Sequence, residues 1–266
     1  MWVHGGALGW DLHREPDRIE EGPMGPDEIS RFVHDSLLEP AIESSPARLD
    51  GPLRRRVVCL VTVVAGALLL RASLSVAPGD RLFYPATASL ALLWLVGARL
   101  SGPVVPGHVH SSRGGRASHA VVQSLVWGGL LLVIFLAGAL AVSQVPWLSG
   151  PVQDLLDHAR RGSLPIVALL TALNGLGEEY FFRGALFQAL PRHRQVLVST
   201  VLYSVVTAFS GIPLLVLAAA MLGAVVGLQR RATGGFLAPT ITHLVWSLGM
   251  LFLLPSALSL GAALFG

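Results

Sequence analysis

Two adjacent glutamates and an arginine, Glu178, Glu179 and Arg183, stand in the stretch GEEYFFRG inside a long apolar run. SLPIVALLTALNGL precedes it and ALFQAL follows. A charged side chain at mid-membrane costs about 2.5 to 3.5 kcal/mol on insertion scales, and such groups normally face a bundle interior or a wet cavity. Glu179 and Arg183 are four residues apart on one helix face, so they are expected to pair. Glu178 lies about 100° further round the helix and is free to turn toward a cavity and act on water. A carboxylate in an apolar setting suits general-base work near neutral pH. One Glu–Arg pair alone would equally serve as a lock between two helices. A second, adjacent glutamate exceeds what such a lock needs, and this favours chemistry.

Few other polar groups reach this depth. His243, in APTITHLVWSL, is the one histidine within an apolar span, and Ser247 follows it by four residues on the same face. If that span starts near Phe236, His243 lies roughly 10 Å in, at 1.5 Å per residue. Glu178 lies at about the same depth, or somewhat deeper, measured from the end of its own span near Leu190. Tyr203, Ser204 and Thr207 stand on the neighbouring stretch STVLYSVVTAF. A lone intramembrane histidine is as often a packing residue as a functional one. Its match in depth to two glutamates tips the reading toward function.

The elements that must position these groups are membrane spans. The chain of 266 residues is 53% hydrophobic and only 13% charged, with a mean hydropathy of +0.63. Soluble domains carry about 25% charged residues. Seven apolar stretches are near the length needed to cross a bilayer: 57–77, 82–98, 120–142, 164–190, 196–212, 213–229 and 236–260. The expected fold is therefore all-α, a polytopic transmembrane helix bundle of about seven spans. The tail GAALFG is too short for an eighth unless Pro255 breaks the last segment into a re-entrant hook. Gly223 and Gly227 form a GxxxG that suits close helix packing, or are simply small residues with no dedicated partner.

Charge orients the bundle. Arg54, Arg55 and Arg56 precede the first span, which places the N-terminus in the cytoplasm by the positive-inside rule. Arg99, Arg113, Arg116, Arg192, Arg194, Arg230 and Arg231 then fall on the cytoplasmic side as well. Arg81, Arg160 and Arg161 fall outside, as does the C-terminus. Residues 1–56 carry eleven acids and seven arginines, whereas the remainder carries five acids and twelve arginines. Residues 1–55 are thus expected to form a polar cytoplasmic arm. Ile29, Phe32, Val33 and Leu37 recur there at helical spacing, with Pro26 or Asp27 near the start, so an amphipathic helix lying on the membrane surface is expected. MWVHGGALGWDLHREPDR turns polar within a few residues, and no secretory signal is expected there. The single cysteine, Cys59, excludes a disulfide framework and a CxxC metal site. No basic, aromatic-interleaved stripe points to nucleic acid.

With these residues in view, the sequence resembles the CPBP family, the CAAX prenyl endopeptidases and bacteriocin-processing enzymes also called Abi. Its first motif, EExxxR, is matched by Glu178, Glu179 and Arg183, with FFRG around it. Its third motif, a histidine followed four residues later by Asn or Asp, is matched by His243 but has Ser247 in the last place. The stretch MLGAVVGLQRRATGGFLAPTITH is similar to the family's glycine-rich helix, turn and final helix. The second motif is an aromatic residue followed four later by histidine. Here it reads Tyr203 to Thr207, so threonine stands in the histidine's place. The resemblance covers roughly residues 165–250 and implies 56–162 as N-terminal transmembrane helices and 163–260 as the catalytic transmembrane core.

The resemblance implies an intramembrane endopeptidase cutting a peptide near the cytoplasmic leaflet. Glu178 would be the general base, with Glu179 and Arg183 as its supporting pair. His243 would hold the developing oxyanion, with Ser247 as a second donor. Thr207 can bond a water but cannot shuttle a proton as imidazole does. The family's metalloprotease label raises zinc, yet one intramembrane histidine and two glutamates are a poor set for it, so no tightly bound metal is expected. The implied partners are a membrane-associated peptide or protein substrate and the lipid bilayer, with no nucleic acid. The expected location is the cell membrane. Two other readings compete. One is a catalytically weakened relative that binds a membrane peptide as an immunity or regulatory protein, which Thr207 and Ser247 favour. The other is a proton-coupled transporter using Glu178 and His243 as relay groups, against which no paired broken helices stand in matching halves.

Overall fold

The computed structural model describes residues 26–38, 52–107 and 119–265. Every regular element among them is helical. The chain runs through α1 (Pro26–Val33), α2 (Pro52–Leu74), α3 (Phe83–Ser101), α4 (His119–Val142), α5 (Pro146–Arg161), α6 (Leu164–Glu179), α7 (Phe187–Ala189), α8 (Gln195–Ala208), α9 (Pro213–Thr233) and α10 (Leu237–Phe265). A π-helical segment, Tyr180–Leu186, joins α6 to α7, so the helix carrying the glutamates is continuous but locally widened. The architecture is the expected all-α polytopic bundle.

Five helices, α2, α3, α4, α9 and α10, are long and apolar enough to cross a membrane. Leu60, Val61, Leu68, Leu92 and Val133 on α2, α3 and α4 are more than half exposed, as lipid-facing side chains are. These features mark the chain as an integral membrane protein. The two other apolar stretches are also helical. Residues 164–189 form the α6–π–α7 rod. The stretch 196–212 yields only the 14-residue α8, about 21 Å at 1.5 Å per residue. It ends in a turn in which Gly211 has φ 74°. At the C-terminus no hook forms, because α10 continues through Pro255 to Phe265.

Two features depart from the sequence reading. The segment PWLSGPVQDLLDHARR, read as an outer loop, is the helix α5. Proline at its first position costs no hydrogen bond, and its apolar side packs inward through Val152 and Leu156. The described part of the N-terminal arm, 26–38, also packs on the bundle. Leu37 is buried, Phe32 stacks on Trp127 of α4 with ring centroids 6.1 Å apart, and Trp127 Nε1 donates to Ser36 Oγ at 3.0 Å. The rest of that arm, residues 1–25 and 39–51, lies outside the described residues.

The packing core sits where α3 meets the π segment. Trp94 is 1% exposed, with the Phe181 and Phe182 rings at 5.1 and 5.2 Å. Gly66 of α2 lies flat on its far side, where an added Cβ would come within 2.0 Å of the Trp94 ring. Arg55, entering α2, is buried and donates to the Ser101 and Pro103 carbonyls and to Gln188 Oε1 of α7, the last at 2.7 Å. It satisfies carbonyls at the end of α3 that no helix turn can. The strap that follows, 102–107, ends against the turn before α10. Gly107 and Gly235 touch backbone to backbone, and the Leu237 N–H donates to the Pro106 carbonyl at 3.1 Å. Gly234, with φ 71°, closes α9 in the left-handed region that glycine tolerates.

Candidate active site

Helix α6 delivers Glu178 and Glu179 to different surroundings. Glu179 is wholly buried and accepts from Arg183 Nη1 at 3.0 Å, the expected pair. The same oxygen, Oε1, meets His243 Nδ1 at 2.8 Å. A carboxylate can only accept, so Nδ1 carries the proton and the Nε2 edge of His243 turns away from Glu179. That edge lies 3.9 Å from Glu178 Oε2. Glu178 retains 18% of its side-chain exposure and lines a cavity of ≈ 490 Å³. The two neighbouring carboxylates therefore divide the work, one fixed within the protein and one facing open space.

Arg183 is buried as completely as Glu179. Its Nη2 donates to the Gly223 carbonyl of α9 at 3.3 Å, and its guanidinium stacks over the Tyr203 ring at 4.9 Å. The missing Cβ of Gly223 makes room for this, since one built there would stand 3.3 Å from Arg183 Nη2 and 3.2 Å from Thr200. The Gly223/Gly227 pair therefore packs inside the chain, with Gly227 against Val196 and Thr200 of α8. The π segment that carries Arg183 disturbs the regular ladder of helix hydrogen bonds. Side chains take up carbonyls in and beside it. Arg230 Nε donates to the Arg183 carbonyl at 2.7 Å, Ser199 to Phe182 at 3.4 Å, and Gln195 Nε2 to Phe187 at 2.8 Å.

The structure brings Glu178, Glu179, Arg183 and His243 into one contiguous cluster. Ser247 and Thr207 line the same cavity as Glu178. Ser247 Oγ is buried and has no hydrogen-bond partner among the described residues. Thr207 Oγ1 donates to the Tyr203 carbonyl of its own helix at 2.9 Å, so its hydroxyl is not aimed at the glutamates. The group that does reach Glu178 is Tyr203, whose phenol donates to Oε2 at 2.7 Å. The sequence placed Tyr203 on the right helix as the aromatic of the second motif. Its hydroxyl is aimed by the packing of α8 against α9 and the π segment, which no local pattern records. Arg230 was also missed, because an arginine at a helix end reads first as a topology signal.

Most of the cavity wall is apolar. Leu70, Leu90, Phe135, Val152, Leu156, Leu170, Leu222 and Leu258 line it, drawn from seven helices. At one end, the polar one, stand Glu178, Tyr203, His243 and Ser247, with Asn174 one turn away on α6; Ser73, Thr87 and His158 line the cavity further along. From this polar end the cavity extends toward α5 and the turns at 75–82 and 209–212. The ends bearing Arg55, Arg192 and Arg230 lie opposite.

The donor set does not suit a zinc ion. At the Glu178 end of the cavity, Glu178 and the Nε2 edge of His243 are two ligand-type groups, whereas catalytic zinc sites use three protein ligands; the other lining histidine, His158, is bonded to the Val76 carbonyl. Glu179 is occupied by Arg183 and His243. Among the described residues no group of three or more His, Cys, Asp or Glu is placed to hold a metal.

A family model described as Rce1-like, type II CAAX prenyl endopeptidase Rce1-like, matches residues 160–249, about a third of the chain. No curated protein and no solved structure matches. The matched segment opens in the last turn of α5 and closes two residues beyond Ser247, so it contains the whole cluster of glutamates, arginine, tyrosine and histidine. Residues 160–249 are thus similar to an Rce1-like type II CAAX prenyl endopeptidase domain, in line with the resemblance that the motifs carry.

Proposed function

We propose that the chain is an intramembrane endopeptidase of the CPBP type, in which Glu178 activates water against a peptide bond. The observation that carries this reading is the unequal exposure of the two glutamates. Glu179 is sealed in an ion pair, while Glu178 faces a cavity beside the Nε2 edge of His243. Water held between Glu178 and His243 loses a proton to the Glu178 carboxylate as its oxygen adds to the peptide carbonyl carbon. The oxyanion so formed accepts a hydrogen bond from protonated His243 Nε2, and Ser247 is the second donor. Collapse of the tetrahedral intermediate breaks the C–N bond, and Glu178 passes its proton to the departing amine. Water is consumed, and one carboxylate and one amine result. Glu179 holds the imidazole in place through Nδ1 and offsets the charge of the doubly protonated ring, which enters the reaction already carrying its Nε2 proton.

No step needs a metal. The arginine distribution supports a cytoplasmic Gly235 end, with His243 roughly 10 Å inside it. The scissile bond then sits in the cytoplasmic half of a cell membrane, and the apolar part of the substrate extends along the cavity toward the opposite face. A peptide carrying a lipid chain fits such walls, consistent with the prenyl endopeptidase description of the matching family.

The test is hydrolysis of a fluorogenic prenylated CAAX peptide by the purified chain in detergent. Glu178→Gln, which keeps size and removes the base, is expected to lower the rate by about 10²-fold or more. Cleavage by the variant at the wild-type rate overturns the proposal. One observation favours a second reading, a peptide-binding relative with weakened catalysis: the Thr207 hydroxyl is tied to its own helix. Peptide binding without cleavage in both wild type and variant selects that reading.

A further inference from the structure

Glu178 receives one hydrogen bond from a protein donor among the described residues, and it comes from Tyr203. The threonine one turn further along α8 gives it none. Tyr203 is itself held from three sides. Its ring lies over the Arg183 guanidinium at 4.9 Å, Phe182 meets it edge-on at 5.0 Å, and its carbonyl accepts from Thr207. Tyr203 is 7% exposed as a residue, so its side chain is largely withdrawn from bulk water. A fixed donor on Oε2 restricts rotation of the carboxylate and leaves Oε1, which has no partner among the described residues, as the oxygen available to the cavity.

We propose that Tyr203 is the positioning residue for Glu178, fixing the carboxylate so that one defined oxygen meets water, a task that Thr207 does not perform. The proposal rests on Glu178 being the water-activating base. It also explains why a hydroxyl-bearing aromatic stands at 203. Phenylalanine would fill the same space against Phe182 and Arg183 but would leave Glu178 with no donor. In a cavity walled by leucine and valine, a carboxylate without a fixed partner samples several rotamers, and only some of them reach water in line with a bound carbonyl.

Two arms test this, both on the full chain in detergent. The first is kinetic, with the prenylated CAAX peptide as probe. Tyr203→Phe is expected to lower kcat by at least about 10-fold with KM little changed. Tyr203→Phe combined with Thr207→His, which supplies a new donor one turn away, is expected to recover part of that loss. Wild-type kcat in Tyr203→Phe overturns the proposal. The second arm needs no activity. The chain has three tyrosines, so ring-labelled tyrosine gives an assignable infrared C–O stretch. The band missing in Tyr203→Phe should also shift in Glu178→Gln, as a phenol bonded to that carboxylate requires. An unshifted band overturns the proposal. If the wild-type chain cleaves nothing, the hydrolytic reading falls, and the infrared arm still decides whether Tyr203 holds Glu178.

Discussion

Arg183 lets Glu179 reside in an apolar bundle, and both side chains are fully buried. Its guanidinium meets the carboxylate, the Gly223 carbonyl and the Tyr203 ring in one plane-and-face arrangement that lysine could not reproduce. Removing one partner of a buried pair leaves the other charge uncompensated, which typically costs about 3 to 5 kcal/mol. Arg183→Met is therefore expected to lower the thermal unfolding temperature of the purified protein sharply. Adding Glu179→Gln to the same chain should return part of the loss, because a neutral amide no longer needs the arginine and can still accept from His243. Equal melting of the single and double variants would show that the pair contributes packing rather than charge compensation. At this scale the sequence was informative. Four-residue spacing paired Glu179 with Arg183, and the depth argument placed His243 beside them. It could not show that His243 binds Glu179 through Nδ1 and meets Glu178 only across 3.9 Å. Nor could it aim the Tyr203 hydroxyl. Both facts depend on rotamers chosen by tertiary packing.

Among the elements, the π segment is the one that sequence patterns hide. Residues 164–190 read as one apolar span, and hydrophobic periodicity does not reveal a widened turn within it. Its stability depends on side chains from other helices that take up its carbonyls. Arg230 is the largest of the buried ones, and its guanidinium also lies over Phe187 at 5.2 Å. Arg230→Met keeps the length and the apolar stem but removes the donor to the Arg183 carbonyl. An unmet buried acceptor costs about 1 to 3 kcal/mol. The variant is expected to unfold at lower temperature and to cleave more slowly, since the same turn carries Arg183. A variant that matches wild type in both measurements would remove Arg230 from the account of the site. Helix α5 escaped notice for another reason. PWLSGPVQDLLDHARR is too polar to span and contains two prolines and a glycine, all loop signals. It is helical because Val152 and Leu156 cover the cavity, a tertiary reward that local propensity does not record.

At the scale of the whole molecule, the cluster of Arg55, Arg192 and Arg230 and the far end of the cavity lie toward opposite ends. This makes orientation measurable. Cys59 is the one cysteine and is 2% exposed, so Cys59→Ala gives a background without thiols. In that background, Arg160→Cys on α5 should react with a membrane-impermeant maleimide on intact cells. Arg231→Cys, at the end of α9, should react only in inverted vesicles. The reverse pattern would turn the bundle over and place the cavity's far end in the cytoplasm. The composition gave the membrane class and most of the helices. The descent of α1 onto Trp127 was not legible, because an amphipathic face does not say whether lipid or protein will cover it.

The touching glycines at 107 and 235 set a measure for the rest. Gly107 and Gly235 allow no carbon between them, and the neighbouring Pro106 carbonyl takes the first N–H of α10. Counting from that fixed point, His243 stands six residues along, about 9 Å. The strap from α3 thus acts as a depth gauge for the imidazole, as Arg55 and Trp94 do from the same side for α7 and the π segment. The reactive groups all belong to residues 160–249, but the ruler that spaces them belongs to the hundred residues before.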